Sequence, residues 1–457
     1  METRPVVIVG GGVAGLAAAT QLGGAAIVVE KEAEPGGLVR SIRLGGWWFD
    51  EVLHLLYFDD PETERVVRAM IGSDLAACPP SAFVVTGAGT TRYPFQMHLG
   101  GLGPQTAEAC VRDLVEQVAA VPREPPRNFQ EMLLRTFGAA MCETFLFPYN
   151  RKMWKRPLDT LAPSGFQWNI TRPDLDLVLA GAGKPDSDYR AYNARGFYPR
   201  PASDAPSRGM QLLSNALARN VADLRCGCRV VAIEPERKRV VFEQDGAERA
   251  IGWELACVST MPLPLTLSLC SSVPSDIATQ LTQLRSNRVV MVYLALEGPR
   301  PAGFGHWRYY GSEDISFNRL ISMTEFDPEA APAGGWGLMA ELTEPSEAPA
   351  PDLSEVVSRV EAEARGLGAI LPEHKLAASH ARIVDPAYVV FPASGAEPVE
   401  RVRDWLGRRG VVPLGRYGRW EYSSMAQCMR DGFTWGRAAA GRLGDIPPPP
   451  IAWDPDS

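Results

Sequence analysis

Pro5-Val6-Val7-Ile8-Val9-Gly10-Gly11-Gly12-Val13-Ala14-Gly15 is the stretch that decides the fold of this chain. Its apolar, β-branched half reads as a buried strand, and the glycines that end it stand at G-x-G-x-x-G spacing. Gly10 permits a tight turn out of the strand, Gly12 lets the backbone approach a pyrophosphate, and Gly15 lets helix and strand pack closely. A helix beginning at Val13-Ala14 aims its free N–H groups and positive dipole end at that pyrophosphate. A second apolar run, Ala25 to Val29, ends at Glu30, twenty residues after Gly10, with Lys31 beside it. A carboxylate there accepts hydrogen bonds from an adenosine ribose. Glycine spacing alone is common. The order strand, turn, helix, strand, acid is specific, and it predicts a bound dinucleotide.

The rest of the composition narrows the class. A chain of 457 residues predicts two or three domains. Hydrophobic residues at 46% and charged residues at 22% are ordinary for a globular protein. No apolar run approaches the roughly 20 residues that span a bilayer. The first strand starts almost at residue 1, which predicts no secretory leader and a cytoplasmic location. A net charge of -8 argues against a nucleic-acid partner. Of eight cysteines only Cys226 and Cys228 are close, and C-x-C without a second pair is poor metal spacing. Reduced, mostly buried thiols and no metal are expected.

Along the chain, residues 5–50 read as a β-α-β unit followed by Gly36-Gly37. Residues 60–180 are mainly helical in pattern, including 104–120 and 128–147. After Phe197-Tyr198-Pro199 comes a helix from about Met210, then a small β-meander through Val230-Val231, Val240-Val241 and Ala256-Cys257-Val258. More strands are predicted at 289–296 and 336–342, a helix at 353–367, a strand at Val411-Leu414, and a last helix from Met425. The Pro447-Pro450 tail reads as an extended end.

Pro35-Gly36-Gly37-Leu38-Val39-Arg40-Ser41, Phe49-Asp50-Glu51-Val52-Leu53-His54, Pro148-Tyr149-Asn150-Arg151-Lys152-Met153-Trp154 and Gly415-Arg416-Tyr417-Gly418-Arg419-Trp420-Glu421-Tyr422-Ser423-Ser424-Met425 resemble segments of one superfamily. It is that of the FAD-containing amine oxidases and protoporphyrinogen oxidases, nearest its UDP-galactopyranose mutase-like branch, and the likeness runs over nearly the whole chain. The resemblance implies an α/β fold in which a Rossmann-like FAD-binding domain of the glutathione-reductase type is interleaved with an α+β substrate domain. The expected division is 1–58, 197–285 and 385–445 for FAD, 59–196 and 286–384 for substrate, and 446–457 as tail. There are departures: the family often has glycines where Val52-Leu53 stand, an insertion follows Tyr198-Pro199-Arg200, and in the C-terminal motif the mutases carry a tyrosine where Trp420 stands and an aspartate where Ser424 stands.

The resemblance implies FAD contacts at Gly10, Gly12, Val13, Ala14, Gly15, Glu30, Lys31, Gly36, Gly37, Leu38, His54, Val230, Gly415, Arg416, Tyr422, Ser424 and Met425. A helix starting at Ser424-Met425 would stabilise negative charge on a reduced flavin. His54, Tyr422, Trp154 and Arg416 are the candidate catalytic residues, and Tyr149, Trp154, Tyr192, Arg195 and Arg419 the candidate contacts for a small-molecule substrate. The run Arg151, Lys152, Lys155, Arg156 reads either as a solvated helix end or as part of a site for an anionic, sugar-like substrate. His98 is a further candidate, and His306 is expected to line the second sheet. The expected activity is that of an FAD-dependent oxidoreductase taking a hydride from a polar, sugar-like or nucleotide-linked substrate onto flavin N5. The alternatives are a non-redox nucleotide-sugar mutase using reduced FAD, and an inactive flavin-binding partner protein.

Overall fold

The structure is a computed structural model that describes residues 1–120, 124–163, 172–183, 194–444, 446, 447, 449–451 and 453. Strand Glu2–Val9 is flanked on both sides by parallel neighbours, Ala26–Val29 and Ala247–Ser259. Its alternation feeds two cores: Val6 and Ile8 face one, Val7 and Val9 the other. That two-sided burial is why the run is apolar without a break. The full sheet runs Arg229–Glu234, Arg239–Gln244, Ala247–Ser259, Glu2–Val9, Ala26–Val29, Leu224–Arg225. The expected meander forms its antiparallel end. Strand Ala247–Ser259 then forks: its first half pairs with Arg239–Gln244 and its second half, in parallel, with Val411–Pro413.

Helix Val13–Thr20 is buried along its whole length, and helix Met425–Leu443 lies directly on it. Two glycines permit the contact. A Cβ at Gly432 would stand 2.4 Å from the carbonyl oxygen of Ala14, and one at Gly436 would stand 2.4 Å from that of Ala18. The start of the last helix is thereby held above the first glycine turn.

A second sheet runs Lys375–Val390, Arg285–Glu297, Gly335–Pro345, Arg319–Ser322, Trp307–Tyr310, Ala82–Thr86, Gly89–Arg92. Val289, Met291, Tyr293 and Ala295 turn toward the core shared with the first helix, while Val290, Val292, Leu294 and Leu296 pack beneath helix Leu353–Gly366. Beside this sheet lie helices Pro104–Ala119, Phe129–Phe137, Phe147–Trp154 and Leu175–Ala182.

Some expectations are corrected. Residues 60–180 include strands Leu75–Ala77, Ala82–Thr86 and Gly89–Arg92, short runs broken by Pro79-Pro80 and Gly87 in which a helical period has no room to develop. The helix expected over 128–147 is capped by the Asn128 side chain and stops at Gly138, where φ is +79°. A new helical segment starts at Ala139, passes through a π-turn at Cys142–Leu146 and reaches Trp154. The boundary expected at 384/385 falls inside strand Lys375–Val390. Within the extended tail, Trp453 is fastened to the body of the protein. The backbone N–H of Trp453 donates to Gln21 Oε1 at 3.3 Å and its indole N–H to Thr63 Oγ1 at 3.4 Å. Among the described residues no helix is long and apolar enough to cross a membrane.

Candidate functional site

The site begins at the glycine turn. Gly10 has φ +102°, and a Cβ there would meet Thr260 Oγ1 at 2.2 Å. A Cβ at Gly15 would lie 2.2 Å from the Gly10 carbonyl oxygen. Gly12 differs: its φ of -74° and ψ of 172° are ordinary extended backbone, and a Cβ there meets nothing within 4 Å. Open space in front of this glycine is what a bound phosphate requires. Glu30 is 6% exposed and aims its carboxylate into the turn. Its Oε2 accepts the Gly11 N–H at 2.6 Å, and its Oε1 accepts the Glu32 N–H at 2.9 Å. Gly36 closes the other side by donating its N–H to Gly11 O at 2.8 Å. Gly37 follows with φ +59°, its Cβ position 3.3 Å from Gly12 Cα. Gly10, Gly12, Gly15, Glu30, Gly36 and Gly37 thus converge, with Val13 and Ala14 buried behind them. Leu38 is partly buried on the same core. Val230 is buried on the opposite core, two residues beyond Cys228, whose N–H donates to Glu30 O at 2.8 Å. Lys31 turns away, exposed, toward Glu32 at 3.4 Å.

The C-terminal strand Val411–Pro413 delivers the next part. At Gly415, φ is +71° and a Cβ would stand 2.6 Å from Ala14 Cβ, so the chain crosses immediately over the first helix. Arg416 follows, half-buried, donating to the carbonyls of Ser423 and Ala387 at 3.3 Å each. Its guanidinium lies 5.0 Å from the Tyr422 ring centroid, 5.7 Å from Tyr388 and 5.8 Å from Tyr417. Among the described residues Arg416 makes no ion pair, and its Nε is buried without a partner. Ser424 caps helix Met425–Leu443 by a reciprocal box with Gln427, leaving the remaining first-turn N–H groups without intrahelical acceptors.

The second sheet closes the site. Arg319 and Glu341 stand opposite one another on neighbouring strands, joined from Nε at 2.8 Å and from Nη2 at 2.5 Å. Tyr388 donates its hydroxyl to the other oxygen of Glu341 at 3.0 Å. Tyr309 is the register partner of Arg319, and its ring meets Tyr149 edge-on at 5.6 Å. Trp154 meets Tyr388 at 6.2 Å and Tyr422 at 6.0 Å. The predicted residues Tyr149, Trp154, Arg416 and Tyr422 therefore belong to one cluster, together with Tyr309, Arg319, Glu341 and Tyr388, which sequence reasoning missed. A partial signal was present: Glu341 is a charge inside an apolar strand run, a pattern that calls for a buried partner without saying which. His54 lies within electrostatic reach of both guanidiniums. Burial pushes its pKa down to about 4, Arg416 and Arg319 add to the shift, and a backbone hydrogen bond at Val52 opposes it. The imidazole is neutral at pH 7, and its Nδ1 is buried without a partner among the described residues.

Other candidates go elsewhere. Arg419 donates to Glu421 at 2.8 Å, Arg195 is exposed, and Tyr192 lies outside the described residues. Among the described residues none of the four cations of the run at 151–156 pairs with a side chain of the tyrosine cluster; within it Arg156 reaches only the backbone carbonyl of Trp154, at 3.2 Å. Arg151 pairs with Glu313 at 2.8 Å and Arg156 with Glu347 at 2.6 Å. Lys155 ends its helix at φ +51°, and Lys152 turns inward to backbone carbonyls. His98 and His306 are both buried; His306 Nδ1 accepts the Ser81 N–H at 3.0 Å, and its Nε2 faces Cys78 Sγ at 3.5 Å.

The open ground before Gly12 and the orphaned atoms of His54 and Arg416 fit a long ligand. It would run from the glycine turn to the start of the last helix, as FAD bound in this fold would. Solved structures share the architecture. Reduced UDP-galactopyranose mutase matches with a TM-score of 0.86 at 20% identity, covering 100% of this chain and 97% of that one. A protein from Exiguobacterium sp. described as a protoporphyrinogen oxidase matches at 0.69 and 16% identity, covering 97% and 100%. Wild-type putrescine oxidase bound to putrescine matches at 0.60 and 16% identity, covering 96% and 99%. The sequence profile of the flavin-containing amine oxidoreductases matches residues 13–378, and the chain belongs to that family, with FAD as its cofactor.

Proposed function

We propose that this flavoenzyme acts on an anionic, nucleotide-linked sugar held between the flavin and the tyrosine cluster. Arg416 carries the reading: a cation ringed by Tyr388, Tyr417 and Tyr422, with no carboxylate partner among the described residues. An amine substrate is itself a cation and would be repelled. A diphosphate offers oxygens that match the guanidinium fork. The faces of Tyr149, Trp154 and Tyr422 suit a sugar or a base. His54, neutral at pH 7, exchanges a hydrogen bond without adding charge.

On this reading the turn Gly10–Gly15, Gly36 and Gly37 hold the pyrophosphate of FAD, and Glu30 holds its ribose. The N-terminus of helix Met425–Leu443 favours negative charge at the far end of the cofactor. The cofactor unit is then 1–58, 197–285 and 391–445, and the substrate unit 59–196 and 286–390, with strand Lys375–Val390 kept whole. Bound FAD supplies either hydride acceptance at N5 or, when reduced, a nucleophile at the same atom. Likeness to a mutase over the whole chain supports non-redox sugar isomerisation as the first reading. Ser424, standing where the resemblance places the mutases' aspartate, favours oxidation as the second.

One experiment separates them. UDP-sugars are added anaerobically to the FAD-loaded protein while flavin absorbance is followed. Isomerised sugar that forms only after dithionite reduction supports the first reading, and bleaching of oxidised flavin by the sugar supports the second. If neither occurs and UDP leaves the flavin spectrum unperturbed, the proposed substrate class is wrong.

A further inference from the structure

Helix Phe147–Trp154 carries Tyr149 and Trp154, while strands Trp307–Tyr310 and Arg319–Ser322 carry Tyr309 and Arg319. Lys152 stands between them, 3% exposed. Its Nζ donates to the carbonyl of Tyr310 at 2.9 Å and to that of Phe317 at 2.7 Å. The first carbonyl follows Tyr309 directly, and the second precedes Arg319 by two residues. The ammonium therefore spans both ends of the loop that joins the two strands. We infer that Lys152 is a positioning residue, whose bridge to these two carbonyls sets Tyr309 and Arg319 against Tyr149 and Trp154. What the cluster binds rests on the substrate reading above; the bridge itself does not.

Energetics favour this role over a purely structural one. Among the described residues Lys152 has no ion pair, and a buried ammonium without a counter-ion is costly. A methionine would fill much of the same volume without that penalty. What a methionine cannot do is donate to two carbonyls at once. Neighbouring contacts fasten the same helix to the bridged loop and to the adjoining strand Gly335–Pro345. Met153 Sδ accepts from Asn318 Nδ2 and Thr343 Oγ1 at 3.7 Å each, and Arg151 pairs with Glu313 in the bridged loop. Burial pushes the Lys152 pKa down to about 7, with Lys155 adding to the shift and Glu363 and Glu313 opposing it. The bridge is thus charge-assisted below pH 7 and weaker above.

The test uses the full-length, FAD-loaded protein with UDP as probe, its binding read from the flavin difference spectrum. Lys152→Met is expected to weaken UDP binding roughly tenfold or more, in the range that residues sharing a partner show. Lys152→Arg should restore most of it. In an Arg319→Met background, Lys152→Met should be nearly silent, because the group it positions is gone. Backbone hydrogen exchange over 311–318 should speed up in Lys152→Met and stay unchanged elsewhere. Should Lys152→Met fail to fold, the wild type and Lys152→Arg are compared from pH 6 to 8.5. Wild-type affinity should fall with rising pH more steeply than that of Lys152→Arg. Additive losses in the two backgrounds, exchange rising evenly along the chain, or identical pH profiles would each overturn the inference. If UDP binds no variant while exchange over 311–318 still responds, the substrate reading fails and the bridge stands.

Discussion

Replacing Gly12 by alanine separates the fold from the cofactor site. Its backbone, at φ -74° and ψ 172°, is open to any L-residue, and the added Cβ meets no atom within 4 Å. The apoprotein should lose nothing. Removing a glycine restricts the unfolded chain and is worth about 0.4–1 kcal/mol in favour of the native state. If the pyrophosphate of FAD crosses this turn, the same methyl intrudes on it. Overpacking of that kind costs about 1–3 kcal/mol, or roughly 5- to 150-fold in affinity. Gly15→Ala is the contrast. There the Cβ would stand 2.2 Å from the Gly10 carbonyl oxygen, so helix and strand must part and both stability and affinity should fall. Urea unfolding of the apoproteins and quenching of FAD fluorescence measure the two quantities independently. Wild-type FAD affinity in Gly12→Ala would refute the pyrophosphate assignment. Destabilisation of that apoprotein equal to Gly15→Ala would refute the claim that the space is open.

Three further outcomes follow from the same geometry. Asp50 is fully buried and accepts from Ser41, Tyr198 and the Met210 N–H; burial pushes its pKa up to about 6 against those bonds. A raised carboxyl pKa gives stability that is present below the unfolded value near 4 and lost as pH rises through about 6, so Asp50→Asn should gain on the wild type over that window, by about 2–3 kcal/mol. Urea midpoints from pH 4 to 7.5 check this, and a pH-independent difference would contradict it. Glu341→Gln strands Arg319 without its buried partner and should cost about 3–5 kcal/mol, whereas replacing both by apolar residues should cost much less; thermal unfolding of the single and double variants decides. Ser424→Ala removes one half of the capping box and should cost about 1 kcal/mol, while Ser424→Asp keeps the cap and, under the proposed site, makes the flavin harder to reduce, which spectroelectrochemistry would show.

The parts of the molecule legible in the sequence are those that local sterics and periodicity determine. The turn at Gly10–Gly15 announces itself because a positive φ and two close approaches admit only glycine. Ser424 and Gln427 announce a helix start because a capping box is a contact between residues three apart. Arg319, Glu341, Tyr309 and Tyr388 could not be found this way. They meet only because four strands adopt one register, and nothing near Arg319 in the chain points to Glu341. The run at 151–156 misled for a related reason. Four clustered cations suggest an anion site, yet most of their described partners lie far off in the chain: Glu313 for Arg151, Glu347 and Asn287 for Arg156, and the carbonyls of Tyr310 and Phe317 for Lys152.

The forked strand Ala247–Ser259 has a consequence for how the protein is made. Strand Glu2–Val9 is synthesised well before its partners: one of its two main neighbours lies about 245 residues later, and the fork closes only with Val411–Pro413. At synthesis rates of 5–20 residues per second, the first strand waits roughly 12–50 s for that partner and longer for the last helix. Through that interval the wall of the proposed nucleotide site is an unpaired, apolar edge, the kind of surface that aggregates or recruits a chaperone. Flavin loading therefore belongs to the end of biogenesis. Nascent chains arrested before residue 411 should stay colourless, and production of the yellow protein should depend more on folding assistance than on flavin supply.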